Sequence, residues 1–419
     1  MQKYLPLSIL ILFLFIYILT GRGKTQNVDE VAMFATFTNL MEKHTLSINK
    51  LVELNEEIDQ RIGFFGPDGN LYSKYAPGNL IFAAGFYRIG AFLSPDLGLL
   101  MALYLNPFLG AITIAMLFVF LRRHFRTRTA IVVAVLVGLC TDWWYQTRGF
   151  SLETGGGMFL LASLLLADSE NDLGSAACFG ASLLFRTLNA VAWPVWALNL
   201  KKTGWKGLRS VLVMIPIGLG LLGYNWIRYH SFTNFGYDNL GFTTPLWTGL
   251  SGLFFSPGRS IFLYSPILLL VFPGAWLWFK RDRYIAAAIT LTVLFYTFFV
   301  AIWVSWDSGW AWGSRLLTPV VPLMGILVAP VIEMSWTKTW WLVPITIMAV
   351  WGFGIDLIAL AKDPLETLKD AVISQGLPYE ATLYTIDHSF LAIQVRSLFN
   401  WSPKDIDALI LRLLLAARL

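Results

Sequence analysis

Asp29 and Glu30 stand side by side about nine residues beyond the first long apolar run, where a helix beginning at Val28 would hold two carboxylates just above a bilayer. A carboxylate in that place suits a general base, and an acidic pair equally suits a helix N-terminus, whose dipole favours negative charge. Further on, Tyr72-Ser73-Lys74-Tyr75-Ala76-Pro77-Gly78 brings two tyrosines and a lysine to the start of another apolar stretch. Lys74 is a mobile point charge that fits a phosphate, or snorkels between lipid headgroups. A third stretch runs from Asp142 through Trp143-Trp144-Tyr145 to Arg148-Gly149-Phe150-Ser151-Leu152-Glu153, followed by Gly155-Gly156-Gly157. The glycines imply a closely packed helix behind Glu153, and the aromatic triplet reads as an interfacial belt ahead of a sugar-stacking platform. Asp142 fits a helix end. Asn234 to Asn239, with Tyr237 and Asp238, and Phe254 to Arg259 share a later polar region; Trp306 to Arg315, with Asp307, Trp310 and Trp312, forms another. Aromatic faces beside Asp and Asn acceptors suit sugars, arginines such as Arg259 and Arg315 suit an anionic headgroup, and lipid anchoring is the plainer alternative. His44, His124, His230 and His388 are scattered without ligand spacing, so no metal or other cofactor is called for; a divalent ion shared by Asp29 and Glu153 is the one arrangement left open.

The elements that must position these groups are membrane helices. In 419 residues, 56% are hydrophobic and 14% charged, with 18 Trp, 31 Phe and two Cys, and the mean hydropathy is +0.62. Disorder, collagen, a coiled coil and a disulfide scaffold are excluded. The net charge of +5 follows from basic loops on the cytoplasmic side, so nucleic acid is discarded as a partner. Spans are expected at 4–20, 97–121, 130–147, 154–167, 209–227, 260–279, 284–304, 316–334 and 340–361. The stretch 79–94, with Arg88 in its middle, is read as interfacial. The stretch 175–200 carries Arg186 near its centre, where an arginine costs about 2.5 to 3.5 kcal/mol, so it is read as two short helices with Arg186 at the outer bend. Eleven spans result, with the N-terminus inside. Residues 21–77, 142–153, 229–259, 304–315 and the tail from Lys362 are then extracytoplasmic. Within the first outer loop, Ile48, Leu51, Val52, Ile58 and Ile62 recur at near-helical spacing with Glu53, Glu56, Glu57 and Asp59 between them, which predicts a helix lying on the membrane surface. Ile406, Leu409, Ile410, Leu413 and Leu414 repeat the pattern weakly in the tail.

Taken in order, these motifs over roughly Met1 to Met334 resemble the GT-C fold glycosyltransferases that use a polyprenyl-phosphate-linked sugar, in the protein O-mannosyltransferase and lipid A aminoarabinose transferase branch. The acidic pair after the first span, Tyr72 to Gly78, Arg148 to Glu153, Ser256-Pro257-Gly258-Arg259 and Gly309 to Arg315 carry the resemblance. It implies an all-α polytopic bundle of about eleven transmembrane helices, with interfacial helices in the first outer loop at 21–96. Residues 1–361 would form the catalytic module and 362–419 a short extracytoplasmic tail. Asp29 aligns with the family's catalytic carboxylate, beside Glu30; Glu153 aligns with a second acidic position and Lys74 with a phosphate-binding lysine. Arg315 resembles a late-loop phosphate contact, and Arg148 and Arg259 are further phosphate candidates. Tyr72, Tyr75, Tyr237, Asp238, Asp307, Trp310 and Trp312 are the sugar or lipid candidates. The implied activity is inverting transfer of a sugar from a polyprenyl-phosphate donor to an acceptor hydroxyl, outside a bacterial inner membrane. Two departures stand out: Arg186-Thr187 replaces the Arg-Pro of many relatives, and the tail after Ala361 matches nothing familiar, which leaves the acceptor open. The rival reading is a transporter or flippase of a lipid-linked sugar, which calls for intramembrane charges, broken helices and repeat symmetry.

Overall fold

The computed structural model describes residues 2–57, 62–237 and 240–416; Ile58, Asp59, Asp238 and Asn239 lie outside them. Helix α1 (Leu5–Thr20) buries Ile9, Phe13 and Tyr17 and exposes Leu7, Ile11 and Phe15. An apolar face turned outward fits hydrocarbon, where only a helix satisfies its own backbone. Helix α2 (Val28–Lys43) starts on Asn27, whose side chain accepts the Glu30 amide at 2.9 Å. The expected surface helix of the first loop shrinks to α3 (Val52–Glu57), and the chain turns instead into a hairpin of β1 (Gly63–Phe65) and β2 (Leu71–Ser73), with Phe64 opposite Tyr72. Asn55 enforces the change, because its side-chain oxygen accepts the amides of Ile62 and Gly63 at 3.0 and 3.1 Å.

Helices α4 (Gly78–Ala91) and α5 (Pro95–Leu103) pack as a pair, and α5 runs on into α6 (Leu105–His124). The break at Tyr104 follows from Pro107, which has no N–H to give the Leu103 carbonyl. Helix α7 (Thr127–Leu139) stops short of the expected span end at Thr147. Residues 142–146 form a separate short helix, α8 (Asp142–Gln146), capped by Thr141. Trp143, Trp144 and Tyr145 are buried there, so they are core and not an interfacial belt. Helix α9 (Leu152–Asp168) pairs closely with α10 (Asp172–Phe185). A side chain at Gly155 would collide with the Phe185 ring, as the glycine run led one to expect. The chain breaks at Arg186 and resumes as α11 (Trp193–Thr203), in agreement with the two-helix reading of 175–200.

Helix α12 (Val211–Tyr229) is followed by α13 (Leu246–Phe255), an apolar helix inside a stretch read from sequence as loop. The expected span 260–279 is split into α14 (Ile261–Tyr264), a 3-10 turn from Pro266, and α15 (Val271–Arg281). Proline disfavours a helical residue before it, and Ser265 is accordingly non-helical. Helix α16 (Arg283–Ile302) is capped by Asp282, α17 (Val321–Ser335) is almost wholly buried, and α18 (Leu342–Ala361) lies at the periphery. Short helices α19 (Pro364–Lys369), α20 (Tyr379–Tyr384), α21 (Phe390–Ser397) and α22 (Leu409–Ala416) complete the chain. Among the described residues, five helical stretches are long and apolar enough to cross a membrane: 95–124, 207–229, 283–302, 315–335 and 339–361. Four shorter apolar helices, α1, α7, α10 and α13, accompany them. The architecture is an all-α polytopic bundle, with one two-stranded hairpin among the described residues.

Candidate functional site

Four elements far apart in sequence bring opposite charges together. Asp29 sits in the first turn of α2, Glu153 in the first turn of α9, Arg186 at the break after α10, and Arg315 at the 3-10 turn that leads into α17. Arg315 Nη2 donates to Asp29 Oδ2 at 2.7 Å, while its Nε lies 3.7 Å from Glu153 Oε1. Arg186 Nη1 donates to the same Glu153 oxygen at 2.6 Å. The Tyr75 hydroxyl donates a short hydrogen bond to Asp29 Oδ1. The result is an alternating chain, Asp29, Arg315, Glu153, Arg186, in which Asp29 is the most accessible side chain at 23%.

Lys74 completes the set. Its ammonium lies 5.5 Å from the Tyr75 ring centre and 5.4 Å from that of Tyr237, and its charge acts on Asp29. Gly236 (φ +76°) lets the backbone bearing Tyr237 pass directly over Lys74, where a side chain would meet Lys74 Cβ and the Tyr229 hydroxyl. The Lys74 strand is fixed from the end of α12: Arg228 donates to the carbonyls of Ser73 and Tyr75, and its guanidinium stacks 3.9 Å from the Tyr224 ring centre. Burial alone would push the Asp29 carboxyl up, but Arg315, Lys74 and the hydrogen bonds from Tyr75 and Arg315 hold it below the usual carboxylate range. It is therefore ionised at neutral pH.

Glu30 points the other way. Its Oε2 accepts the Gln26 amide at 2.9 Å, and burial pushes its carboxyl up against the pull of Arg22 and of amide hydrogen bonds from Gln26 and Phe150. A side chain at Gly149 would collide with the Glu30 carboxylate and with Arg22, so this carboxylate is walled in. Asp142 is a third buried acid near the set; burial raises its carboxyl to about 7, against hydrogen bonds from Gln146 and Thr318 and with the Glu153 charge adding to the rise.

Several residues singled out from sequence lie elsewhere. Arg148 is 2% exposed and donates to the carbonyls of Thr20, Ala359 and Asp407 and to the Asp407 carboxylate. Arg259 is fully buried and spends Nη2 on the Gly309 carbonyl at 2.7 Å and the Tyr379 hydroxyl at 3.2 Å. Neither joins the Asp29 set, because each guanidinium is buried and bonded to other groups. Tyr72 turns to Asp68 at 2.7 Å and packs edge-on against Tyr229. Trp312 is a core residue between Tyr264 and Phe390. Asp307 accepts the Tyr379 hydroxyl at 2.6 Å, with Trp310 stacked on that tyrosine. The loop that carries them also supplies the Ser308 carbonyl 3.4 Å from Arg315 Nη2, which places this cluster one residue from the Asp29 set. Sequence reasoning missed Arg186 and Arg228 as members. Arg186 had a signal, since a charge inside an apolar run needs a partner; Arg228 had none beyond its place in the last turn of a helix. Among the described residues, no three His, Cys, Asp or Glu side chains come together as a metal site.

The sequence matches no protein-family model and no curated protein. In three dimensions the chain is similar to the crystal structure of ArnT from Cupriavidus metallidurans bound to undecaprenyl phosphate, with a TM-score of 0.55 at 16% identity over 90% of this chain. The chain spans 66% of that structure's length, just under two thirds. What this likeness establishes is architecture: the protein has a GT-C-like fold.

Proposed function

We propose that the protein transfers a sugar from a polyprenyl-phosphate carrier to an acceptor hydroxyl at the extracytoplasmic face of the membrane, with inversion at the anomeric carbon. The observation that supports this most is the meeting of an ionised, partly accessible carboxylate, Asp29, with two cations, Arg315 and Lys74, from separate elements. In the reaction the acceptor oxygen attacks the anomeric carbon and its proton passes to Asp29. The bond from that carbon to the phosphate oxygen breaks, and the carrier leaves as a phosphate whose added charge Lys74 and Arg315 stabilise. One displacement by an outside nucleophile inverts configuration. ArnT was crystallised with undecaprenyl phosphate, which is consistent with a carrier of that class here.

Arg315 bonds Asp29 through Nη2 alone, so a phosphate that reaches the same guanidinium shares its charge with Asp29. When the donor arrives, its phosphate competes for the guanidinium, and Asp29 becomes more basic as the ion pair loosens. Glu153 and Arg186 brace the other side of Arg315, while Tyr75 and Tyr237 flank Lys74 as surfaces for the sugar or the first prenyl units.

The test compares Asp29→Asn and Lys74→Ala with the unaltered protein in membranes of cells lacking the gene, following by mass spectrometry the return of the glycan lost on deletion. Both variants should fail to restore it; restoration by both at the full rate rejects these roles. Sugar that accumulates outside without a new glycosidic bond identifies a transporter. Transfer should also continue at the full rate in EDTA, and loss of transfer there would bring a metal back into consideration.

A further inference from the structure

Between α1 and α2 the chain passes through Gly21 to Asn27, and this linker decides where Asp29 stands. Much of its anchoring comes from the segment that follows α18, beside a hydrogen bond from the Arg22 amide to the Arg148 carbonyl at 3.2 Å. The Leu409 amide donates to the Gly21 carbonyl at 3.0 Å, and Arg22 Nε donates to Asp407 Oδ2 at 2.9 Å. Lys24 pairs with Asp363 at 3.1 Å and with Glu366 at 3.4 Å, and Gln26 Nε2 donates to Asp363 Oδ1 at 2.6 Å. Arg148 joins from below, donating to Asp407 Oδ2 at 2.8 Å, and the Asp407 amide ties the segment to the Leu360 carbonyl at 2.9 Å. Both arginines stack on Tyr145, which itself donates to Gln26 Oε1 at 2.9 Å. The next contacts belong to α2: the Gln26 amide donates to Glu30, and Asn27 caps the helix whose second residue is Asp29.

We propose that residues 363–409 act as a clamp on this linker, and that Asp407 and Asp363 are positioning residues for Asp29. The inference rests on Asp29 being the base. Arg315 reaches Asp29 from a different part of the chain, so a shift of the linker moves the carboxylate relative to its cation and to the acceptor. A misplacement of about 1 Å at a reacting group costs on the order of 100-fold in rate. Removing the Asp407 charge also leaves Arg22 and Arg148 without their shared carboxylate, which loosens both anchors together.

The experiment uses the full chain with Asp407→Asn and, separately, Asp363→Asn, which touches the partly exposed Lys24 and carries less risk of misfolding. Rates of glycan restoration are normalised to folded protein, and affinity is measured with undecaprenyl phosphate alone as the probe. The clamp predicts a rate about 10- to 100-fold lower for Asp407→Asn and about 3- to 10-fold lower for Asp363→Asn, with undecaprenyl phosphate affinity within about twofold of the unaltered protein. Unchanged rates in folded variants, or a fall in affinity matching the fall in rate, overturn it. If Asp407→Asn does not fold, Asp363→Asn decides alone. Asp29→Asn is run alongside: an inactive Asp29→Asn with fully active tail variants removes the clamp and leaves the base in place, whereas an active Asp29→Asn removes the base and the clamp with it.

Discussion

Asp29 and Asp407 are both acidic residues held by arginine, yet their surroundings differ in kind. Asp29 meets Arg315 where the side chains are 23% and 12% accessible, and Arg315 is shared with a second acid, Glu153. Asp407 meets Arg22 and Arg148 where the side chains are 0% and 2% accessible, and Arg148 is bonded to three backbone carbonyls besides. A charge whose remaining donors are spent on backbone has no second partner to turn to. A charge balanced between two side chains near solvent can exchange one of them for a ligand. Accessibility and the kind of partner, more than charge or neighbouring aromatics, separate Arg315, the proposed phosphate contact, from Arg148, which is tied into the fold.

The largest effect expected from this contrast is at Asp29. Asp29→Asn keeps the shape and a hydrogen bond from Tyr75 but removes the proposed proton acceptor, so kcat should fall by about 100- to 10,000-fold in a protein that stays folded, with a smaller loss of thermal stability from the lost ion pair. A variant that is inactive only because it unfolds would erase the distinction between the two clusters.

Next comes a pair of arginine substitutions read against each other. Arg148→Met strips a buried carboxylate of one partner and three carbonyls of their donor, which should cost about 3 to 5 kcal/mol of stability. Arg315→Met should cost less stability, about 1 to 3 kcal/mol, because Asp29 is the more accessible carboxylate and Glu153 keeps Arg186, but about 100- to 1,000-fold in rate, as expected for a donor that meets charge growing in the transition state. Thermal unfolding in detergent and glycan restoration measure the two axes. Equal losses on both axes for both variants would show that the clusters are alike.

Glu153→Gln is smaller. The amide still accepts from Arg186 but no longer balances two guanidinium groups, so Arg315 is drawn more fully to Asp29 and yields less readily to a phosphate. A rate about 10-fold lower, equivalent to about 1.4 kcal/mol, is expected. An unchanged rate would reduce Glu153 to a tether for Arg186.

Much of the first cluster is legible in the sequence, and the second is not. Asp29, Lys74, Glu153 and Arg315 all stand at the ends of apolar stretches, where a long hydrophobic segment pins one end of the chain and leaves charged residues at the rim. Arg148 and Arg315 look equivalent by that criterion, since each closes an aromatic-rich loop. What separates them is Asp407, 259 residues beyond Arg148, and no local pattern reports that contact. The bundle itself is legible because apolar length is a strong signal. Helix α13, at ten residues, is too short to declare itself, and the β1–β2 hairpin depends on Asn55 capturing two amides eight residues or fewer away, a side-chain choice that periodicity does not see.

The finest test of the first cluster is its pH dependence. Asp29 is held below the usual range in the unliganded protein by Arg315 and Lys74, despite burial that works the other way. The acid limb of kcat/KM reports the free enzyme and should lie below the ordinary carboxylate range, whereas the acid limb of kcat reports the donor complex. If the donor phosphate draws Arg315 away, Asp29 binds its proton more tightly in that complex, and the limb of kcat lies at higher pH than that of kcat/KM. Stability follows the same sign in the unliganded protein: the Asp29 contribution is fully present above the unfolded carboxyl value and is lost as pH falls through the depressed folded value. In Arg315→Met the gap between the two limbs should narrow, because Lys74 alone is left to be shared between Asp29 and the phosphate. Coincident limbs in the unaltered protein would mean that Arg315 stays on Asp29 throughout the reaction, and Lys74 would then be left to carry the phosphate.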